Sequence, residues 1–204
     1  MIMHNPQALL ALSTGVVVAI AIGIGVILLV IIFVAMYNKL VRLRQSCKES
    51  WSDIDTELQR RHDLIPNLIE TVKGYAQHEK GVLEEVTNLR NKAVADKNKG
   101  PAERAKVEDQ LGKAAGGLVA TFEAYPDLKA SKNFLQLQNE LGETETRIAR
   151  ARRFYNANVR DFFNGVQMFP SSIIAGMGGF KGSEFEFFKA DDDAKAPVKV
   201  DFGA

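Results

Sequence analysis

Three histidines, one cysteine and a cluster of arginines are the residues of this chain whose types could carry chemistry. Nucleophilic catalysis needs a nucleophile, a base and an orienting group brought together by the fold. Here the serines and threonines are scattered, and none stands in a glycine-framed elbow. His4 precedes a long apolar run, which leaves His62 and His78 for the remainder. His62, between Arg61 and Asp63, interrupts an apolar stripe and has the setting of a partly buried, hydrogen-bonded histidine. His78-Glu79 falls in a turn, and a spacing of 16 residues between the two histidines matches no metal-ligand pattern, even with Glu143 and Glu145 as carboxylates. Cys47 alone can neither close an intrachain disulfide nor build a cysteine zinc site, which fits a reducing compartment. Gly176-Met177-Gly178-Gly179 follows no strand and lacks the Lys-Ser/Thr of a phosphate loop. The expectation is a chain with no catalytic residues, no metal and no cofactor, and not an enzyme.

Two polar groupings remain. Arg147, Arg150, Arg152, Arg153 and Arg160 surround Phe154 and Tyr155, and a basic stripe with aromatics can bind nucleic acid. Glu140, Glu143, Glu145 and Asp161 interleave, however, and Glu143 and Arg147 stand four apart as a helical ion pair. With 26 basic against 25 acidic residues there is no bulk attraction to polyanions, so no nucleic-acid partner is expected. The second grouping is Arg61, His62, Asn67, Arg153 and Asn156, which lie on or beside apolar stripes. Polar groups so placed must meet one another, water or a ligand. They predict a polar seam between helices, either mutually hydrogen-bonded or, as an alternative function, the pocket of a ligand-binding or sensor module.

The elements that would position these residues are helices. From Leu40 the apolar residues Leu43, Cys47, Trp51, Ile54, Leu58, Ile65, Leu68 and Val72 recur at steps of three and four, apart from one gap at Arg61-His62. Pro66 predicts a kink there rather than a stop. A turn is expected between Gly74 and Gly81, then a second helix from about Leu83 to Val94. Gly100-Pro101 breaks the chain and starts a third helix, with Leu111, Ala115, Leu118 and Phe122 as its stripe. Gly112 and Gly116 beside that stripe suggest a closely approaching neighbour. The fourth and longest soluble helix begins near Leu128 to Ser131 and carries Phe134, Leu141, Ile148, Tyr155 and Phe162. The fold class is all-α: an antiparallel four-helix bundle over 37–164, with a three-helix variant if 40–97 stays one kinked helix. Beyond it lie an apolar Gly/Pro segment, 165–180, and an acidic tail, 181–204, expected to be flexible. Phe169, Pro170, Ile173, Ile174 and Phe180 make the first of these either a collar on the bundle or a contact with membrane or partner.

Ahead of the bundle, Leu9 to Met36 contains no Asp, Glu, Lys or Arg. A bilayer core of about 30 Å needs roughly 20 apolar helical residues, so 9–36 is predicted to span a membrane as one helix that continues through Tyr37. Residues 1–8 form a short N-terminus outside. Lys39, Arg42, Arg44 and Lys48 follow the run at once while no basic residue precedes it, which places the body in the cytoplasm. A cleaved signal would carry its basic cluster at the other end and a shorter apolar core. Ala11, Gly15, Ala19 and Gly23, each four apart, offer a face on which two spans can pack, hence an expected homo-oligomer.

Several stretches resemble a known family. Tyr37-Asn38-Lys39-Leu40-Val41, the run from Trp51 through Arg61-His62-Asp63-Leu64-Ile65-Pro66-Asn67-Leu68, Val72-Lys73-Gly74-Tyr75 with His78-Glu79, Ala130 to Leu141, and Arg153-Phe154-Tyr155-Asn156 leading to Phe169-Pro170 are similar to the LemA family of bacterial membrane proteins. The resemblance covers Tyr37 to Phe180 and leaves out most of the tail from Lys181. Phe163-Asn164 departs from it, where a second Tyr-Asn would stand. The resemblance implies a single-pass protein of the bacterial inner membrane, N-terminus outside, with a cytoplasmic helical bundle and no established activity. Similarity to magnetosome-associated proteins implies, by analogy, membrane organisation. The expected function is a non-enzymatic membrane-anchored scaffold that self-associates and contacts membrane or other membrane proteins.

Overall fold

In the computed structural model of the chain, residues 6–75 and 79–189 are described, and all their regular structure is helical. Six α-helices follow in order: α1 Pro6–Val72, α2 Lys80–Ala95, α3 Pro101–Phe122, α4 Pro126–Lys129, α5 Lys132–Gln167 and α6 Ser171–Met177. The apolar run and the first bundle helix are thus one element. Pro66 sits inside α1, which ends at Val72 and is followed by a single 3-10 turn at Lys73–Tyr75. Residues 40–97 therefore form two helices, and the four-helix reading holds. Pro101 opens α3 at its first turn, where a missing N–H costs nothing. Pro126 opens α4 in the same way.

The chain divides into two compact units. The larger runs from Gln45 to Asp161 and takes up the chain again from Ser183. Its core joins Ile65, Leu68 and Val72 of α1, Val86 and Ala93 of α2, Leu111, Leu118 and Phe122 of α3, Leu128 of α4, and Phe134 and Leu141 of α5. Fully burying each of the Val, Leu, Ile and Phe side chains contributes about 1.5–3 kcal/mol. Cross-links fix the directions. Asp55 and Arg61 of α1 meet Arg104 and Glu108 of α3, so those helices run parallel. Arg61 and Ser46 meet Glu145 and Asn158, so α5 runs antiparallel to α1. With α2 packed on α3 across a short turn, the order is up-down-up-down.

The tail expected to be flexible from Lys181 is ordered as far as Lys189. Phe188 is buried against Trp51, ring centroids 5.8 Å apart, and this apolar anchor outweighs the polar character of its neighbours. Residues 190–204 lie outside the described residues, as do His4 and His78.

The smaller unit comprises the chain up to Arg44 and Phe162–Gly182. The side chains from Val16 to Val34 are exposed along α1, which is long and apolar enough to cross a membrane. Near the end of the run, Leu40 and Leu43 pack on Gly165 of α5, where a Cβ would come within 3.1 Å of both. Tyr37 meets Phe180 edge-on, centroids 5.6 Å apart. Gly178 makes room for that pair, since a Cβ there would lie 2.7 Å from the Phe180 ring, and Gly179, at φ +71°, turns the chain in the left-handed region that glycine tolerates.

Candidate functional site

The gap in the α1 stripe at Arg61-His62 is where the larger unit places its charges. Arg61 is 1% exposed and His62 is buried, so the stripe continues through them with polar atoms in place of apolar ones. Arg61 Nη1 donates to Glu145 Oε1 and Oε2 at 2.9 and 3.1 Å. Its Nη2 donates to the Glu108 carbonyl at 2.9 Å and pairs with the Glu108 carboxylate. The other carboxylate oxygen of Glu108 lies 3.1 Å from His62 Nε2, and Arg90 Nε of α2 donates to the His62 carbonyl at 3.2 Å. One arginine thus ties together α1, α3 and α5. Burial by itself would push the Glu108 carboxyl up, but the His62 hydrogen bond and the Arg61 charge outweigh it and hold that carboxyl below its usual range.

Two further pairs extend this layer. Arg104 of α3 donates to Asp55 of α1 at 2.6 Å and lies over the Trp51 ring at 5.0 Å. Arg152 of α5 pairs with Asp109 of α3 and covers the Phe188 ring at 4.5 Å. Trp51 also packs on Tyr155, centroids 5.3 Å apart. Tyr155 Oη donates to the Glu186 carbonyl at 2.8 Å. Asn156 grips Phe188 from both sides: its Oδ1 accepts from the backbone N–H and its Nδ2 donates to the carbonyl, each at 2.9 Å. The Tyr155-Asn156 pair is therefore a clamp on the segment 185–189.

The expected seam of five residues is not one place. Arg61 and His62 come together, whereas Asn67 and Arg153 are exposed. Asn67 stands five residues after His62, which at roughly 100° per residue turns it to the far side of α1. Arg153 is two residues from buried Tyr155 and faces away for the same reason. Asn156 lies 11 residues beyond Glu145, roughly 16 Å along α5 at about 1.5 Å per residue, and serves the clamp instead. The partners Asp55, Arg104, Glu108 and Asp109 are not among the residues expected from sequence. A signal for two of them was present: counting back from Leu111 by three and then four, the α3 stripe falls on Glu108 and Arg104, charges at positions that must be buried.

Among the other expected residues, Lys39, Arg42 and Lys48 are exposed and Arg44 lies over the Phe180 ring at 5.1 Å. Ala19 is exposed, and a Cβ on Gly15 or Gly23 would meet nothing within 4 Å; the side chain of Ala11 lies outside the described residues. Phe169, Pro170 and Ile173 are exposed, but Ile174 and Phe180 are buried in the smaller unit and cannot serve as an outside contact. Gly112 does face a neighbour, the Arg61 guanidinium, while Gly116 does not. It lines an open groove of about 720 Å³ between α3 and α5, with Gly142, Asn139, Glu145 and Arg147. Arg147 pairs with Glu143 at 3.3 Å, as the helical spacing indicated.

Comparison with known proteins decides the family. The sequence matches the LemA family over residues 50–202. The chain belongs to the LemA family. The match runs through the tail, so the family pattern extends past Phe180, where the resemblance had been expected to stop. This is consistent with the clamp on Phe188. Protein LemA of Metamycoplasma hominis is 26% identical over 166 residues, covering 78% of this chain and 75% of that protein. Magnetosome protein MamQ 2 of Paramagnetospirillum magneticum is 24% identical, and Magnetosome protein MamQ of Magnetospirillum gryphiswaldense 23%. Each of these two matches covers 73% of this chain and 64% of the magnetosome protein.

Proposed function

We propose that this LemA-family chain is a non-enzymatic scaffold, anchored in the bacterial inner membrane by residues 9–36, with its N-terminus outside and its bundle in the cytoplasm. The observation that carries the reading is the mutual pairing of the buried charges, whose carboxylates and guanidinium ends bond one another although Nε of Arg61 has no partner among the described residues. Arg61, Glu108, Glu145 and His62 bond one another across three helices, which makes them braces rather than a poised catalytic set. Lys39, Arg42, Arg44 and Lys48 beside the exposed apolar helix support the orientation. Similarity to the magnetosome proteins MamQ supports a role at membranes, and the open small-residue face of Gly15, Ala19 and Gly23 supports self-association. Paired fusions after residue 204 test the topology: a fluorescent protein should be bright and a phosphatase inactive, and the reverse overturns it. Crosslinking in native membranes tests assembly. Only monomers, unchanged when Gly15 and Gly23 are replaced by Leu, would remove the self-association.

A second reading is favoured by the α3–α5 groove, which has room for a small ligand beside Glu145 and Arg147. A small molecule released from the purified protein, and lost when Gly116 is replaced by Leu, would support a binding module instead.

A further inference from the structure

We infer that the segment Met168–Met177 is immersed in the interface of an anionic lipid bilayer, a second membrane contact beside the span. The inference rests on the anchor reading above, and all its observations lie within the smaller unit. Ile173 and Met177, four apart on α6, share one helix face and are 58% and 73% exposed, and Phe169, in the turn just before α6, is 81% exposed. The opposite face of α6 is already occupied, since Ile174 and Ala175 are buried.

Two contacts fix the level of this stripe along α1. On its N-terminal side, Gly165 sits against Leu40 and Leu43; on its C-terminal side, a Cβ on Gly178 would lie 3.1 Å from the Tyr37 ring. Both ends of the segment are therefore held within about two helical turns, roughly 5.4 Å each, of Met36, the last residue of the apolar run. A bilayer spanned by 9–36 begins at this level, and Tyr37 has the amphipathic ring that favours the headgroup boundary. The lipid surface is thus the occupant continuous with the stripe. Charge agrees with it: Phe162 to Gly182 contains no Asp or Glu, while Lys39 and Arg42 are exposed on α1 just after Tyr37 and Lys181 just after Phe180, which selects anionic headgroups.

The test uses the full chain with Cys47 replaced by Ala, in vesicles of phosphatidylglycerol and phosphatidylcholine, carrying single nitroxide labels at 169 or 173. Labels at Leu28 in the span and at exposed Lys129 in the larger unit set the lipid and water limits. Labels at 169 and 173 should be reached by oxygen several-fold more readily than by a water-soluble nickel complex, close to the Leu28 label. If they match Lys129 while Leu28 remains in lipid, this inference fails and the anchor stands. If Leu28 also reads as aqueous, the anchor fails first. Shielding from both reagents that disappears on dilution to one copy per vesicle means that a second copy covers the stripe, and it overturns the inference. Phe169→Trp with Cys47 retained gives an independent check against the parent, whose Trp51 is in the larger unit: the added emission should be quenched by lipids brominated near the headgroup, and quenching no greater than in the parent counts against the proposal.

Discussion

A Cβ on Gly112 would lie 2.9 Å from Nη1 of Arg61, so the glycine is the opening through which the guanidinium reaches Glu145. The guanidinium has little freedom to give way, because it is buried and bonded to both Glu108 and Glu145. Gly112→Ala gains up to about 1 kcal/mol of helix propensity but overpacks this contact, at a cost of about 1–3 kcal/mol. The net change is destabilising. Gly116→Ala, four residues on, meets nothing within 4 Å and should stabilise by up to about 1 kcal/mol. Urea denaturation of the full chain in mild detergent should move the midpoint in opposite directions for the two variants.

Arg61→Ala should be among the most damaging single changes in the bundle. It leaves the Glu108 carboxylate buried with only His62 as partner, and unpairing a buried charge typically costs about 3–5 kcal/mol. Arg61→Met combined with Glu108→Leu removes both charges and should recover most of that loss, since Glu145 is exposed enough to be hydrated. Thermal unfolding followed by circular dichroism of the single and double variants measures the coupling.

The apolar spacing made α1, α3 and α5 legible, because each buries one continuous stripe that only a helix can align. Pro101 and Pro126 marked two helix starts for a reason local to the backbone. The charged layer was only half readable: Arg61 and His62 announced themselves by breaking a stripe, but their partners are 46 and 84 residues away and are chosen by packing. The ordering of the tail to Lys189 was hidden because Phe188 stands beside acidic and alanine-containing sequence, and its pocket is built by Trp51 and Arg152 from two different helices.

Acid should unfold the bundle partly through Glu108. Its folded carboxyl lies below the ordinary value of 4.5, so the folded state binds that proton less readily than the unfolded chain. The associated stability is fully present above about pH 4.5 and is lost as the pH falls through the folded value. Stability measured between pH 3 and 7 should rise with pH, and Glu108→Gln should flatten the acid limb relative to the parent while lowering the plateau.

Cys47 should be inert in the folded protein. The side chain is buried, and burial, with added repulsion from Glu184 and Asp161, pushes its thiol up to about 11. At pH 8 only roughly one molecule in a thousand then carries the thiolate that reacts. Iodoacetamide should leave Cys47 unmodified under native conditions and alkylate it once urea has unfolded the larger unit, which mass spectrometry of the intact chain reads directly.

The Asn156 clamp predicts a local effect rather than a global one. Asn156→Ala removes two hydrogen bonds to the Phe188 backbone, each with a net value of about 0.5–1.5 kcal/mol, while the main core stays untouched. Asn156→Asp keeps the acceptor for the Phe188 N–H and loses the donor to its carbonyl, so it should fall between parent and alanine. Tyr155→Phe removes only the bond to the Glu186 carbonyl and should act in the same direction. Limited trypsin digestion should cut after Lys181 and Lys189 faster in that graded order, with the unfolding midpoint of the bundle moving little. A midpoint that falls in step with the cleavage rate would mean that the segment 185–189 is integral to the core and not clamped onto it.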